Sequence, residues 1–123
     1  DYLLIYLILL IDTKSNNNII PNTTNDRIIW ACKLACVDKD IESLSEGYDS
    51  QLSDDASSLS PAVKQKLAIA RALIRNPKVL VLDDIFANLD TENEQLILDN
   101  IAELARGRTL IIISQQIWYL KHC

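Results

Sequence analysis

The chain has 123 residues, of which 49% are hydrophobic and 24% are charged, as in an ordinary globular domain. Its 12 basic and 17 acidic residues give a formal net charge of −5. This balance argues against nucleic acid as a main partner, because neutralising phosphates needs a dense patch of Lys and Arg. The one mild basic cluster, residues 64–78, is expected to be a solvated helix face.

The chain begins with an apolar run, residues 2–11, whose sequence is YLLIYLILLI. This run is well short of the ~20 residues that a membrane-spanning helix needs. It also lacks the flanking residues of a signal peptide. It is interpreted as a buried strand, with a truncated membrane helix as the alternative. Because the chain contains no Met and begins with Asp1, we expect a piece of a longer protein or a processed chain.

Three cysteines, Cys32, Cys36 and Cys123, form no CxxC pair and no pattern of metal ligands. We expect Cys32 and Cys36 to behave as small buried hydrophobic residues. Apolar residues recur around them at spacings of three and four. This periodicity predicts one helix over residues 26–44, with Asp26 as its cap.

A second helix is predicted to begin at Ser60 and Pro61. Ser is a favoured N-cap residue, and Pro is well suited to the first helical position. The dipeptide of Asn76 and Pro77 ends this helix, because Pro disfavours helical backbone in the residue before it.

Two short apolar runs, residues 78–82 and 109–113, are predicted to be strands buried on both faces of a parallel sheet. A predicted helix over residues 91–105 lies between them and is ended by Gly107. Strand, helix and strand in this order indicate a right-handed βαβ unit.

Polar residues follow both predicted strands. Asp83 and Asp84 end the first strand, and Gln115 follows the second. Ligands of open parallel sheets bind at the carboxyl ends of the strands, and paired carboxylates there suit Mg²⁺ on a nucleotide. The alternative is that the two carboxylates only cap the sheet edge or the next helix.

Residues 59–83 resemble the signature helix and Walker B strand of ABC (ATP-binding cassette) proteins. Further segments resemble other parts of the same family's nucleotide-binding domain, and the similarity covers about residues 10–117. These further segments are residues 87–90 (the D-loop), 107–109 (leading into the switch strand), 31–35 and 42–49 (the helical subdomain of export-type members), and 18–19 (after the Q-loop). The chain is therefore identified as a member of this family.

The resemblance implies a partial α/β domain of the P-loop NTPase-like ABC ATPase class. Residues 1–20 would be a strand and Q-loop remnant, and residues 21–76 would be the helical subdomain with the signature helix. Residues 77–123 would be the Walker B, D-loop and switch part of a parallel sheet.

The resemblance also implies the cofactors ATP and Mg²⁺ and a set of site residues. Asp83 would be the Mg²⁺-linked carboxylate, while Asp84 and Gln115 would take the catalytic positions. Asp90 would contact the partner domain across the dimer. Ser60 would face the nucleotide of the partner, together with the three residues after it, Pro61, Ala62 and Val63.

This sequence departs from the family pattern at those same positions. Pro61, Ala62 and Val63 replace the usual Gly-Gly-Gln of the signature. Asp84 stands where the family has Glu, and Gln115 stands where it has His.

Two further family motifs are affected. The chain contains no G-x-x-x-x-G-K-[S/T] loop, which we expect to lie upstream in a parent protein. The position of the Q-loop Gln falls near Tyr6.

The sequence therefore predicts the ATP-binding domain of an export-type ABC transporter, with a hydrolytically impaired site in an asymmetric pair. Its partners would be a second nucleotide-binding domain, head to tail in a heterodimer, and a transmembrane domain. The location would be the cytoplasmic face of a membrane. One alternative is a non-catalytic module that regulates an active partner, or a decayed copy. A more remote one is a soluble ABC ATPase of the DNA-repair or translation-factor type.

Overall fold

The structure, a computed structural model, describes residues 25–50 and 57–115. The predicted strand at residues 2–11, Tyr6 and Cys123 lie outside these ranges. In chain order the elements are α1 (Asn25–Leu34), α2 (Asp38–Glu42), a 3-10 helix (Gly47–Asp49), α3 (Pro61–Ile74), β1 (Val79–Asp83), α4 (Thr91–Leu104) and β2 (Thr109–Ile113).

The sheet confirms the predicted order of strand, helix and strand and the parallel pairing of the two strands. β1 and β2 are parallel, with Val79 opposite Thr109 and Asp83 opposite Ile113, and α4 connects them. One face of the sheet packs on the core. On the other face alternate residues are exposed, among them Val81 at 53%. The predicted burial of both faces is therefore wrong for the described residues, because α3 and α4 both pack against the same face.

The start of α3 agrees with the sequence prediction. Ser60 is the N-cap residue in an extended conformation, and Pro61 takes the first helical position. The helix ends at Ile74, and Asn76 then adopts a left-handed φ of 51° before the chain enters β1. The predicted start and end of this helix are thus confirmed.

The predicted single helix over residues 26–44 is wrong, because the chain breaks between α1 and α2. Cys36 has a φ of 55°, in the left-handed region that ends many helices. The N–H of Val37 donates to the carbonyl of Cys32 at 2.9 Å, and the N–H of Cys36 donates to that of Lys33 at 3.0 Å. These two bonds form a Schellman motif, which apolar periodicity alone does not reveal.

The core lies between α1, α3, α4 and the inner face of the sheet. Its largest fully buried side chains are Ile28, Ile41, Leu73, Ile74, Ile97, Leu98 and Ile101. Full burial of one such side chain contributes about 1.5–3 kcal/mol, so these contacts hold the helical part against the sheet. Within the described ranges, no helix combines the length and apolarity needed to cross a membrane.

Candidate functional site

The carboxyl edge of the sheet brings together three residues that the sequence singled out. Asp83 ends β1 opposite Ile113, and the Asp84 N–H donates to the Ile113 carbonyl at 2.9 Å. Gln115 follows Ile113 by two residues, and Asp83, Asp84 and Gln115 are all exposed. Their polar groups are therefore presented to solvent at one end of the parallel pair, where ligands of such sheets bind.

The backbone of Asp84 is unusual. Its φ is 45°, which lies in the left-handed region that non-glycine residues rarely adopt. Asp enters this region more readily than most residues because its short polar side chain can hydrogen-bond locally. A residue held in such a conformation costs of order 1–3 kcal/mol and is often found at a functional site. Asp therefore suits this backbone conformation better than the longer Glu would.

The carboxyl edge of the sheet carries two carboxylates whose chemistry suits Mg²⁺. Carboxylate oxygens are hard ligands of the kind that Mg²⁺ prefers, and Asp83 and Asp84 supply them. Within residues 25–50 and 57–115, however, no group of three or more His, Cys, Asp or Glu side chains could enclose a metal. Asp83 and Asp84 could therefore supply only part of the octahedral set of ligands that Mg²⁺ takes.

The start of α3 keeps few backbone donors free for an anion. The Val63 N–H donates to Oγ of Ser60 at 3.3 Å, and the Lys64 N–H donates to the Ser60 carbonyl at 3.0 Å. Pro61 has no N–H. Among the backbone groups that the structure describes in the first turn of α3, this leaves the Ala62 N–H as the donor available to an anion. The Ser60 hydroxyl proton can still be donated, because Oγ serves the cap as an acceptor.

Asp90 caps the N-terminus of α4. One of its carboxylate oxygens accepts the Asn93 backbone N–H at 2.9 Å, and the other accepts the Asn93 side-chain amide at 2.6 Å. These hydrogen bonds, the backbone one foremost, lower the pKa of Asp90. Asp90 is thus a fixed, ionised group at a helix start, and its expected contact across a dimer stays a prediction.

Two side-chain contacts of α3 were missed by sequence reasoning. Nζ of Lys66 lies 2.9 Å from Oδ2 of Asp40, and the Asn88 side-chain amide donates to Oε1 of Gln65 at 2.8 Å. Lys66 is only 8% exposed, so the expected solvated helix face is wrong for this residue. The partners are 26 and 23 residues apart, and one sequence carries no signal that would pair them.

The cysteines follow their prediction in part. Cys32 is fully buried, and burial raises the pKa of its thiol to about 12. Cys36 is half-buried, and burial raises the pKa of this thiol too. Both are free thiols. A thiol with a raised pKa is a poor nucleophile and metal ligand, so Cys32 acts as a small core residue.

Comparisons with known proteins agree on one family. The family model described as "ABC transporter" matches residues 10–87. ABC transporter B family member 2 of Dictyostelium discoideum is 44% identical over 96 residues, which are 78% of this chain and 7% of that protein. The leukotoxin translocation ATP-binding protein LktB of Mannheimia haemolytica is 37% identical over 102 residues, which are 83% of this chain and 14% of that protein.

A solved structure supports the same assignment. The structure of a bacterial Atm1-family ABC exporter with ATP bound matches with a TM-score of 0.75 and 33% identity, covering 80% of this chain and 18% of that one. The chain therefore spans a small part of its relatives' length. It belongs to the ABC transporter family and corresponds to part of the family's nucleotide-binding domain.

Proposed function

We propose that the chain is part of the ATP-binding domain of an export-type ABC transporter, which couples ATP binding and hydrolysis to transmembrane transport. Relatives whose names describe translocation, and an exporter with ATP bound, support this proposal. Residues 21–76 act as the helical subdomain and residues 77–123 as the Walker B, D-loop and switch part. The domain works at the cytoplasmic face of a membrane, attached to a transmembrane domain.

The observation that carries the proposal is the preserved start of α3, where Ser60 caps a 14-residue helix. A helix N-terminus attracts phosphate through its free N–H groups and its dipole. In the proposed assembly, Ser60 and the Ala62 N–H face the γ-phosphate of ATP held by a second nucleotide-binding domain. The two domains pair head to tail, and Asp90 contacts the partner across the dimer.

At the sheet edge, Asp83 is the group that helps to hold Mg²⁺ on the domain's own nucleotide. The ion neutralises phosphate charge when it is bound. Asp84 orients a water, and Gln115 donates a hydrogen bond from its side-chain amide. This part of the site uses a nucleotide held by a Walker A loop, which the chain itself lacks.

We infer that this site hydrolyses ATP poorly. The Asp84 side chain is one methylene shorter than Glu, and a displacement of about 1 Å can cost on the order of a hundredfold in rate. Gln115 cannot take up a proton near neutral pH, as His can. The chain is then the slow member of an asymmetric heterodimer, in which the partner domain hydrolyses ATP.

A second candidate function is a non-catalytic module that pairs with an active cassette and regulates it. The missing N–H of Pro61 and the use of the Val63 N–H by Ser60 favour this candidate, because they weaken the anion site at α3. Both candidates require pairing with a second cassette. They differ in whether ATP strengthens that pairing.

Sedimentation of the chain with the nucleotide-binding domain of the Atm1-family exporter tests the choice. In that domain the residue that corresponds to Asp84, a Glu in the family pattern, is changed to Gln so that ATP persists. The transporter proposal predicts a complex that forms with MgATP and is weakened by Ser60→Ala. A complex that is indifferent to ATP would favour the regulatory module, and the absence of any complex would contradict both candidates.

A further inference from the structure

Two adjacent residues of α3 make contacts with two different elements. Lys66 forms the ion pair with Asp40 of α2 at 2.9 Å, and Gln65 accepts the hydrogen bond from Asn88 in the loop after β1. The two contacts lie one to two turns after Ser60. Side chains thus join the first half of α3 to α2 and to the loop between β1 and α4.

The ion pair is the stronger of the two contacts. The side chain of Lys66 is 10% exposed and that of Asp40 is 35% exposed, so the pair is partly shielded from solvent. A buried ammonium without a partner is strongly unfavourable. The contact therefore favours one placement of α2 against α3.

Lys66 also lines one cleft with Asn93, the residue that donates two hydrogen bonds to the Asp90 carboxylate. Hydrogen bonds from Asn93 are the main cause of the lowered pKa of Asp90, and the positive charge of Lys66 contributes further in the same direction. Lys66 thus pairs with a carboxylate of α2 and lies in a cleft lined by residues of both α2 and α4.

We propose that Lys66, assisted by Gln65, is a positioning residue that fixes Asp90 relative to Ser60. This inference rests on the proposed function, in which both groups must meet a second cassette at the same time. Binding through two groups held in one geometry avoids the entropy cost of ordering them during association. Lys66 acts through its placement of these groups and does not touch the nucleotide.

The test compares four variants of the full chain. Lys66→Gln removes the charge, and Lys66→Arg retains it. Lys39→Gln removes an exposed charge from the same cleft, and Ile74→Val removes one buried methylene from the same helix. Ile74→Val serves as a control for lost stability, because it leaves both contacts of α3 intact.

Two measurements are made on each variant. The first is the Kd for MgATP-dependent pairing with the Atm1-family domain. The second is hydrogen exchange of the backbone amides of residues 84–93 in the chain alone, which needs neither ATP nor a partner.

We expect Lys66→Gln to raise the Kd on the order of tenfold, the equivalent of about one charged hydrogen bond. It should also speed exchange over residues 84–93 beyond the level seen in Ile74→Val. Lys66→Arg should restore both values, and Lys39→Gln should leave both unchanged. Equal exchange in Lys66→Gln and Ile74→Val would overturn the inference, as would equal pairing of Lys66→Gln and the unchanged chain.

The two measurements separate the two proposals. If the unchanged chain does not pair with the partner but exchange responds to Lys66 as expected, the proposed function fails and the coupling of α3 to the loop stands. If the chain pairs with ATP and neither measurement responds to Lys66, the coupling fails and the proposed function stands.

Discussion

Replacing Pro61 restores a backbone donor at the place where phosphate is proposed to bind. In the first turn of α3, Val63 and Lys64 already donate to Ser60, so the Ala62 N–H is the one left for an anion. Both Pro61→Ala and Pro61→Gly add a second N–H to this turn. Pro61→Gly also leaves no Cβ, so that the backbone can approach a ligand closely.

The size of the effect on pairing follows from the added hydrogen bond. A hydrogen bond to a charged group contributes about 1.5–3 kcal/mol. Pairing should therefore be tighter by about ten- to a hundredfold in both variants. The cost of glycine in a helix, about 0.5–1 kcal/mol relative to alanine, lowers the free energy of unfolding instead, because it applies to the free and the paired chain alike. Loss of Pro61 should lower the free energy of unfolding further, because proline is preorganised for the first helical position.

The assay is the Kd for pairing with the Atm1-family domain in MgATP, beside urea unfolding of the chain alone. Opposite signs are expected, with tighter pairing and lower stability. Pro61→Ala is the matched control, since it adds the N–H without the extra freedom of glycine. An unchanged Kd in both variants would refute the idea that missing donors weaken the anion site.

Three further predictions concern other positions. Cys36→Gly should have a free energy of unfolding in urea that is higher than that of Cys36→Ala by about 0.5–1 kcal/mol, because glycine adopts the left-handed conformation without strain; equal stability of the two variants would contradict this. Asp84→Glu combined with Gln115→His should raise ATP turnover in the transporter assembly, measured as phosphate release; unchanged turnover would place the defect in the signature instead. Glu94 is 5% exposed, and burial raises its pKa. The folded chain therefore favours the protonated form of Glu94. The stability that this preference contributes is present at acidic pH and is lost as pH rises through the pKa of the folded chain. Glu94→Gln should accordingly stabilise the chain more at pH 7 than at pH 4, as read from urea midpoints, and equal effects at both would count against this.

Local chemistry explains which parts of the fold could be predicted. Ser60 and Pro61 specify a helix start through their own backbone and side-chain preferences, so the beginning of α3 was readable from the sequence. The βαβ unit was readable because apolar runs alternate with a helical pattern. Asp83, Asp84 and Gln115 then had to share an edge, since the carboxyl ends of neighbouring parallel strands lie side by side.

The missed features depend on conformations and contacts that local patterns do not encode. Cys36 adopts a left-handed conformation that usually belongs to glycine, so nothing in its residue type announced the end of α1. Lys66 was predicted to be solvated because charged residues usually are, and only the placement of α2 buries it beside Asp40. The exposed outer face of β1 likewise depends on which elements pack against it.

In the proposed function, the chain presents the start of α3 to a nucleotide held by another cassette. Photolabelling with an ATP analogue that carries a reactive group on its γ-phosphate tests this most directly, with the labelled peptide identified by mass spectrometry. We expect label on residues 57–66 only when the partner domain is present, and less label in Ser60→Ala. Equal labelling of this segment without the partner, or label confined to other parts of the chain, would contradict it.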